Sequence, residues 1–234
     1  MKRISIVFFA GWISALSFAA DAPLILKPSK DNFGRSNKRN RNNGACETLL
    51  ISSAANIRSL IAFDLSSVSN EIISAELRFR PHETAQNQVS LIVAPMVYTE
   101  QNAAWEEGQG NLGVQGRIAR SGESCYAFSV FPDKPWQSAN GDLLTGLSDA
   151  ELWEAPVAAL NGQSWQENCW IRIPIRDVSL LEAIRKEKIQ MLTFGVWGKT
   201  GNGLYFISSN NSQWAPELHI ELKEGQKNEA VHGN

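Results

Sequence analysis

Between Arg58 and Arg80 the chain reads RSLIAFDLSSVSNEIISAELRFR, and apolar residues recur at every second position on both sides of a short polar connection. In the first half Ile61 and Phe63 alternate with Ala62 and Asp64. In the second, Ala75, Leu77 and Phe79 alternate with Glu76, Arg78 and Arg80. A period of two gives each strand one apolar and one polar face, the pattern of antiparallel sheets with one side wet. Parallel strands, covered on both faces, read instead as continuous apolar runs. The stretch therefore predicts two antiparallel strands whose inner face packs against a second layer.

Further strands are expected at 47–52, 89–98, 126–131, 170–175, 190–198, 204–208 and 217–222, with Pro95 marking an edge or bulge. Residues 199–203, Lys-Thr-Gly-Asn-Gly, form a turn that would join two of these into a hairpin. Asp177 or Ser179 can cap a short helix over 180–188, with Leu181 and Ile184 as its apolar stripe. A second helical stretch within 147–160 is limited by Pro156. The polar segment 27–44 reads as a solvated loop, and the Gly-, Gln- and Glu-rich segment 105–124 as a long excursion. Many short strands among Gly- and Pro-rich loops predict an all-β fold: a two-sheet antiparallel β-sandwich of jelly-roll type with one short helix. A single sandwich can account for the 234 residues.

Lys2 and Arg3 precede an apolar run over 4–18 that ends in Ser17-Phe18-Ala19, the layout of a secretory signal peptide over 1–19. A membrane anchor would need about 20 apolar residues, and no later segment could span a bilayer. The expected product is secreted or at the cell surface, with the periplasm as a further location. Residues 20–222 would form the sandwich and 223–234 a polar disordered tail. The formal net charge of −2 becomes more negative without Lys2 and Arg3, so there is no general electrostatic case for a nucleic-acid partner. The basic stretch 35–44 lacks the interleaved aromatics of a single-strand binder. Cys46, Cys125 and Cys169 allow one disulfide in three pairings plus a spare thiol, or three small buried hydrophobes. Their spacing matches no zinc motif.

Catalytic signatures are missing. Gly108, Gly110 and Gly113 spell a literal G-x-G-x-x-G, but no buried strand precedes it and no helical periodicity follows. The histidines His82, His219 and His232 accompany no G-x-S-x-G nucleophile, and Glu106 and Glu107 would point to opposite faces of a strand. A β-sandwich lyase working with one Tyr and one Arg stays open. Aromatic and basic residues are the stronger lead. If Val196 and Phe206 face the core, Trp197 would lie opposite Tyr205 on the outer face, with Lys199 nearby; two aromatic planes beside a cation suit a sugar ring. Arg78 and Arg80, with His82 beyond, form a basic stripe suited to carboxylated or sulfated polysaccharide. Asp31, Asn43 and Asp64 are oxygen donors near strand ends, the ligand type of a structural Ca²⁺, although no EF-hand pattern is present.

Several short motifs, in order, resemble the DNRLRE-domain family of extracellular β-sandwich modules related to carbohydrate-binding modules. Asp31, Asn42-Asn43-Gly44 and Leu49-Leu50-Ile51 resemble its opening. Arg58 to Leu65 is similar to its arginine-to-Phe-Asp-Leu strand, and Ile73 to Phe79 to its next strand. Trp105-Glu106-Glu107-Gly108, Pro135-Trp136, Asn140-Gly141-Asp142, Phe206-Ile207-Ser208-Ser209 and Ala215-Pro216-Glu217-Leu218 resemble later segments. The resemblance implies export, a jelly-roll-like sandwich and binding of acidic polysaccharide such as alginate. The Arg-Asn-rich residues 35–43 and the Gly-rich segment 108–122 depart from it. The sequence thus predicts a non-catalytic polysaccharide-binding protein, with an adhesive surface protein and a polysaccharide lyase as alternatives.

Overall fold

The computed structural model describes residues 22–52, 56–82, 89–144, 152–163, 169–200 and 204–223. The expected leader, and the expected tail beyond Lys223, lie outside them. The first half of the chain forms β1 (Leu24–Leu26), β2 (Pro28–Arg35), β3 (Arg41–Asn42), β4 (Thr48–Ile51), β5 (Ile57–Asp64), β6 (Ile72–Phe79) and β7 (Val89–Pro95). Then follow β8 (Arg117–Ile118), β9 (Phe128–Val130), β10 (Lys134–Pro135), β11 (Ala158–Gln163), β12 (Ile171–Ile175), β13 (Met191–Thr200), β14 (Leu204–Ile207) and β15 (Glu217–Leu222).

Two antiparallel sheets form the sandwich, in the orders β1-β15-β6-β12 and β11-β7-β13-β5-β2. From β5 onward the chain passes from one sheet to the other at most steps (β5, β6, β7, then β11, β12, β13), a jelly-roll type of winding. The alternation across 58–80 does what a period of two requires. Ile61 and Phe63 of β5 and Leu77 and Phe79 of β6 point inward and are fully buried. They meet Phe194 and Val196 of β13 and Leu218 and Ile220 of β15 in one continuous core. Phe63 stands edge-on to Phe194 at 6.2 Å between ring centroids, and Phe79 tilts against Phe206 at 5.2 Å. Each such side chain contributes roughly 1.5–3 kcal/mol by leaving water.

One part of the alternation reads differently in three dimensions. Leu60 and Ala62, on the other side of β5, are also buried. A second apolar cluster covers that face: Ala94 and Met96 with Trp105, Trp136, Leu152 and Trp153. The five-stranded sheet is therefore buried on both faces. Small residues at 62, 94 and 195 leave room for the indoles; a Cβ on Gly195 would lie 2.4 Å from the Trp153 ring.

The helix predicted over 180–188 is α2 (Ser179–Lys186), with Leu181 and Ile184 buried and Asp177 Oδ1 accepting from the Ser179 N–H at 2.8 Å. A shorter α1 (Glu100–Ala103), capped by Thr99, has no apolar stripe and was not visible in the sequence. Of the second expected helix, residues 145–151 lie outside the described residues, and 158–160 belong to strand β11. The segment read as a solvated loop, 27–44, instead forms β2 and β3, with Asp31, Asn32, Asn42 and Asn43 buried. The cysteines are three separate thiols: Cys46 and Cys125 buried, Cys169 exposed.

Candidate functional site

The outer face of the four-stranded sheet is polar, because β6, β12 and β15 place polar residues at their outward positions. Its rows follow from the register. Arg172, Arg78 and Glu217 are aligned across β12, β6 and β15, and Pro174, Glu76 and His219 form the next row. Arg78 Nε bonds Glu76 Oε1 at 2.5 Å, and Glu217 takes Lys27 and His219, each at 2.6 Å. Those bonds hold the Glu217 carboxyl below its usual range despite partial burial. Arg172 is exposed and makes no ion pair with any described residue.

At the end of this face the stripe meets aromatic rings. The Arg80 guanidinium lies over the Trp214 indole, 3.3 Å from the ring centroid. Trp170 lies beside Trp214, centroids 6.5 Å apart and planes at 59°. Both indoles are half-buried. Trp170 directly precedes β12 and is in phase with outward Arg172. Trp214 comes from the loop after β14, where its N–H bonds Asn211 Oδ1 at 3.1 Å. Beyond β6 the chain pairs with β14: Pro81 bridges Phe206, and the His82 N–H bonds the Tyr205 carbonyl at 2.9 Å. Directly opposed residues share a side of a sheet, so Tyr205 stands on the side of His82 and Arg80.

This arrangement re-sorts the residues expected to bind a ligand. The 190–208 hairpin does not form: β13 pairs with β5 and β7, and β14 pairs with β4. Trp197 and Tyr205 are therefore not a cross-strand pair. Tyr205 joins the Arg80 end of the other sheet. Trp197 faces the covered side of the five-stranded sheet, 5.6 Å from Trp153, with the Arg58 guanidinium 5.0 Å from its ring. The adjoining cleft between Arg58, Trp136 and Trp153 holds about 10 Å³, room for one water and not for a sugar. Lys199 lies in β13, two residues beyond Trp197, and its side chain is outside the described residues. Arg78 and Arg80 are both on the expected face, Arg80 largely covered by the Trp214 ring.

Beneath the Trp214 loop lies a buried polar layer. Asn42 donates to the carbonyls of Glu107 and Ser124, and its Oδ1 accepts from the N–H groups of Gly44 and Gly110. Segment 105–116 is thereby pressed onto β3. A Cβ on Gly110 would sit 1.9 Å from the Asn42 carbonyl oxygen, and one on Gly44 2.1 Å from that of Glu107. Of the literal nucleotide motif, Gly110 thus serves close backbone approach and Gly108 leaves room for the Asn42 side chain, while a Cβ on Gly113 would meet nothing. Asn210 Nδ2 reaches the Gly44 and Cys46 carbonyls, and the Ser209 N–H bonds Asp31 Oδ2.

Of the three oxygen donors considered for a metal, Asp31 and Asn43 enter this layer. Asp64 does not. Asp31 pairs with Ile61, three residues back along β5, so Asp64 lies about 10 Å further along the strand; it is exposed and bonds the Ser66 N–H. Glu107 takes its place: Oε1 accepts from the Asp31 N–H at 3.3 Å and from Ser209 Oγ at 3.4 Å. The two carboxyl groups lie within hydrogen-bond reach of each other. Burial pushes the Asp31 carboxyl up to about 8, against the lowering effect of the Ser209 N–H. Burial also raises Glu107. No group of three or more His, Cys, Asp or Glu among the described residues is placed to hold a metal.

The chain matches no known family model and no curated protein. No helix among the described residues is long and apolar enough to cross a membrane.

Proposed function

We propose that this is an exported, non-catalytic protein that binds acidic polysaccharide on the outer face of its four-stranded sheet. The observation that carries the reading is the union of half-buried Trp170 and Trp214, the Arg80 guanidinium against the Trp214 ring, half-exposed Arg78 and exposed Arg172 on one sheet face. Indole faces offer apolar area to the C–H side of a sugar ring. Arginines address carboxylates or sulfates, bidentate where geometry allows. Arg80 fixes the Trp214 ring, while Arg78 and exposed Arg172 supply charge to a ligand running across the strands. The motif order shared with the DNRLRE-domain family supports the same substrate class, and the leader-like residues 1–19 support export.

Binding of the purified protein to uronate-bearing, sulfated and neutral polysaccharides tests the reading. Acidic chains are expected to bind, more weakly as salt rises, and Trp214→Ala is expected to weaken binding about tenfold, near 1.4 kcal/mol. Undiminished binding by a folded Trp214→Ala variant, or binding to neutral chains alone, would sink it. A lyase reading has one observation in its favour: Tyr205, His82 and Arg80 share a side at the end of the same face. Release of unsaturated sugars from an acidic polysaccharide, abolished in Tyr205→Phe, would establish that reading instead.

A further inference from the structure

Asp31 is 1 % exposed, and its Oδ1 has no hydrogen-bond partner among the described residues. Its carboxyl faces a second one, that of Glu107, whose Oε1 accepts from the Asp31 N–H at 3.3 Å. Lys30 acts on Glu107 as well as on Glu106, but its Nζ is committed to the Trp105 carbonyl. Two carboxyls at hydrogen-bond distance, one sealed from water and carrying an unpartnered oxygen, need either a shared proton or a cation between them.

We propose that Asp31 and Glu107 form a site for a hard divalent cation of the Ca²⁺ class under the loop that carries Trp214. Both first ligands are carboxylate oxygens, the donors such ions prefer, and the Ser209 hydroxyl stands at Glu107 Oε1 as a neutral oxygen. Half-exposed Glu107 gives the ion its way in from solvent. Ser209 also ties the site to the 208–214 loop, because its N–H bonds Asp31 Oδ2. A bound ion would replace the shared proton and pin that loop to β2. The site stands apart from the polysaccharide reading: it needs only the buried layer, not the sheet face.

Thermal unfolding and calorimetric titration of the full chain at pH 8, without glycan, test this with CaCl₂, MgCl₂ and a chelator control. With the dissociation constant of about 0.1–1 mM common for sparse oxygen sites, about 10 mM Ca²⁺ should raise the midpoint by about 3–10 °C. Asp31→Asn should abolish the shift. Glu107→Gln, at the rim, should weaken Ca²⁺ at least about tenfold and covers the case in which Asp31→Asn does not fold. The proposal is overturned if neither cation moves the midpoint or gives binding heat, the pair then sharing a proton only. An undiminished Ca²⁺ response in Glu107→Gln would overturn it as well.

Discussion

On the five-stranded sheet, Leu60, Ala62 and Ala94 lie beneath Trp105, Trp136 and Trp153. On the four-stranded sheet the corresponding outward positions are Glu76, Arg78, Arg172 and Pro174, and they are exposed or half-exposed. Both sheets share one core and both carry tryptophan near an arginine, yet the pairs differ in what is left over. Trp197 and Arg58 are held within a packed layer against Trp153. Trp214 and Arg80 sit at the margin of a wet face. An aromatic–cation pair is therefore no marker of a binding site by itself; whether a second layer covers the sheet decides its use.

The sharpest way to break this contrast is to strip the covered face. Trp105 is fully buried, and its Nε1 donates to Thr193 Oγ1 at 3.0 Å. Trp105→Ala should cost about 3–5 kcal/mol in chemical denaturation; a loss under about 1 kcal/mol would mean that the layer is not part of the folded unit. Next comes the polar layer. An unfolded aspartate ionises near pH 4, whereas Asp31 in the fold is held at about 8. Its contribution is fully present below about pH 4, is lost progressively as pH rises, and levels off above the folded value. In cation-free buffer, stability should fall between about pH 5 and 8 by roughly 2–4 kcal/mol more in the wild type than in Asp31→Asn. Parallel pH profiles would remove Asp31 as the cause.

Trp197→Ala follows, with an expected stability loss of roughly 1–3 kcal/mol from the covered layer and no change in polysaccharide binding. Weakened binding in a folded Trp197→Ala protein would return the site to the five-stranded sheet. The smallest effect belongs to Arg78→Ala. Its half-exposed surface ion pair with Glu76 is worth about 0–1 kcal/mol, so the melting curve should barely move while the salt dependence of glycan binding flattens. An unchanged salt dependence would take Arg78 out of the ligand path.

The two sheet faces also differ in how far they can be read from residues alone. Arg78 and Arg80 are legible from parity, since they alternate with Leu77 and Phe79. Trp170 is legible in the same way once β12 is phased by Ile171, Ile173 and Ile175. Trp214 is not, because a loop residue has no period to betray its direction. For Tyr205, adjacency in sequence favours a hairpin with Trp197, while the register sends β14 to β4. Asp31 is legible as an oxygen donor, but its place beside Glu107 is not, for a different reason. Asn- and Arg-rich composition ordinarily means solvent, and only hydrogen bonds across 65 and 68 residues, from Asn42 to Glu107 and Gly110, turn that segment inward.

Local residue pattern is enough to specify the sandwich. The period of two at 58–80 selects inner and outer side chains wherever the strands go, because a β-backbone leaves no other option. It also determined that one sheet keeps a charged outer face, since Glu76, Arg78 and Arg172 are costly to bury without partners. Tertiary structure alone decided which face stays open. That choice depended on where Trp105, Trp136, Leu152 and Trp153 came to rest, a matter of long-range packing with no local signature. The same packing brought Asp31 against Glu107 and stacked Trp214 on Arg80, contacts made across 76 and 134 residues of chain.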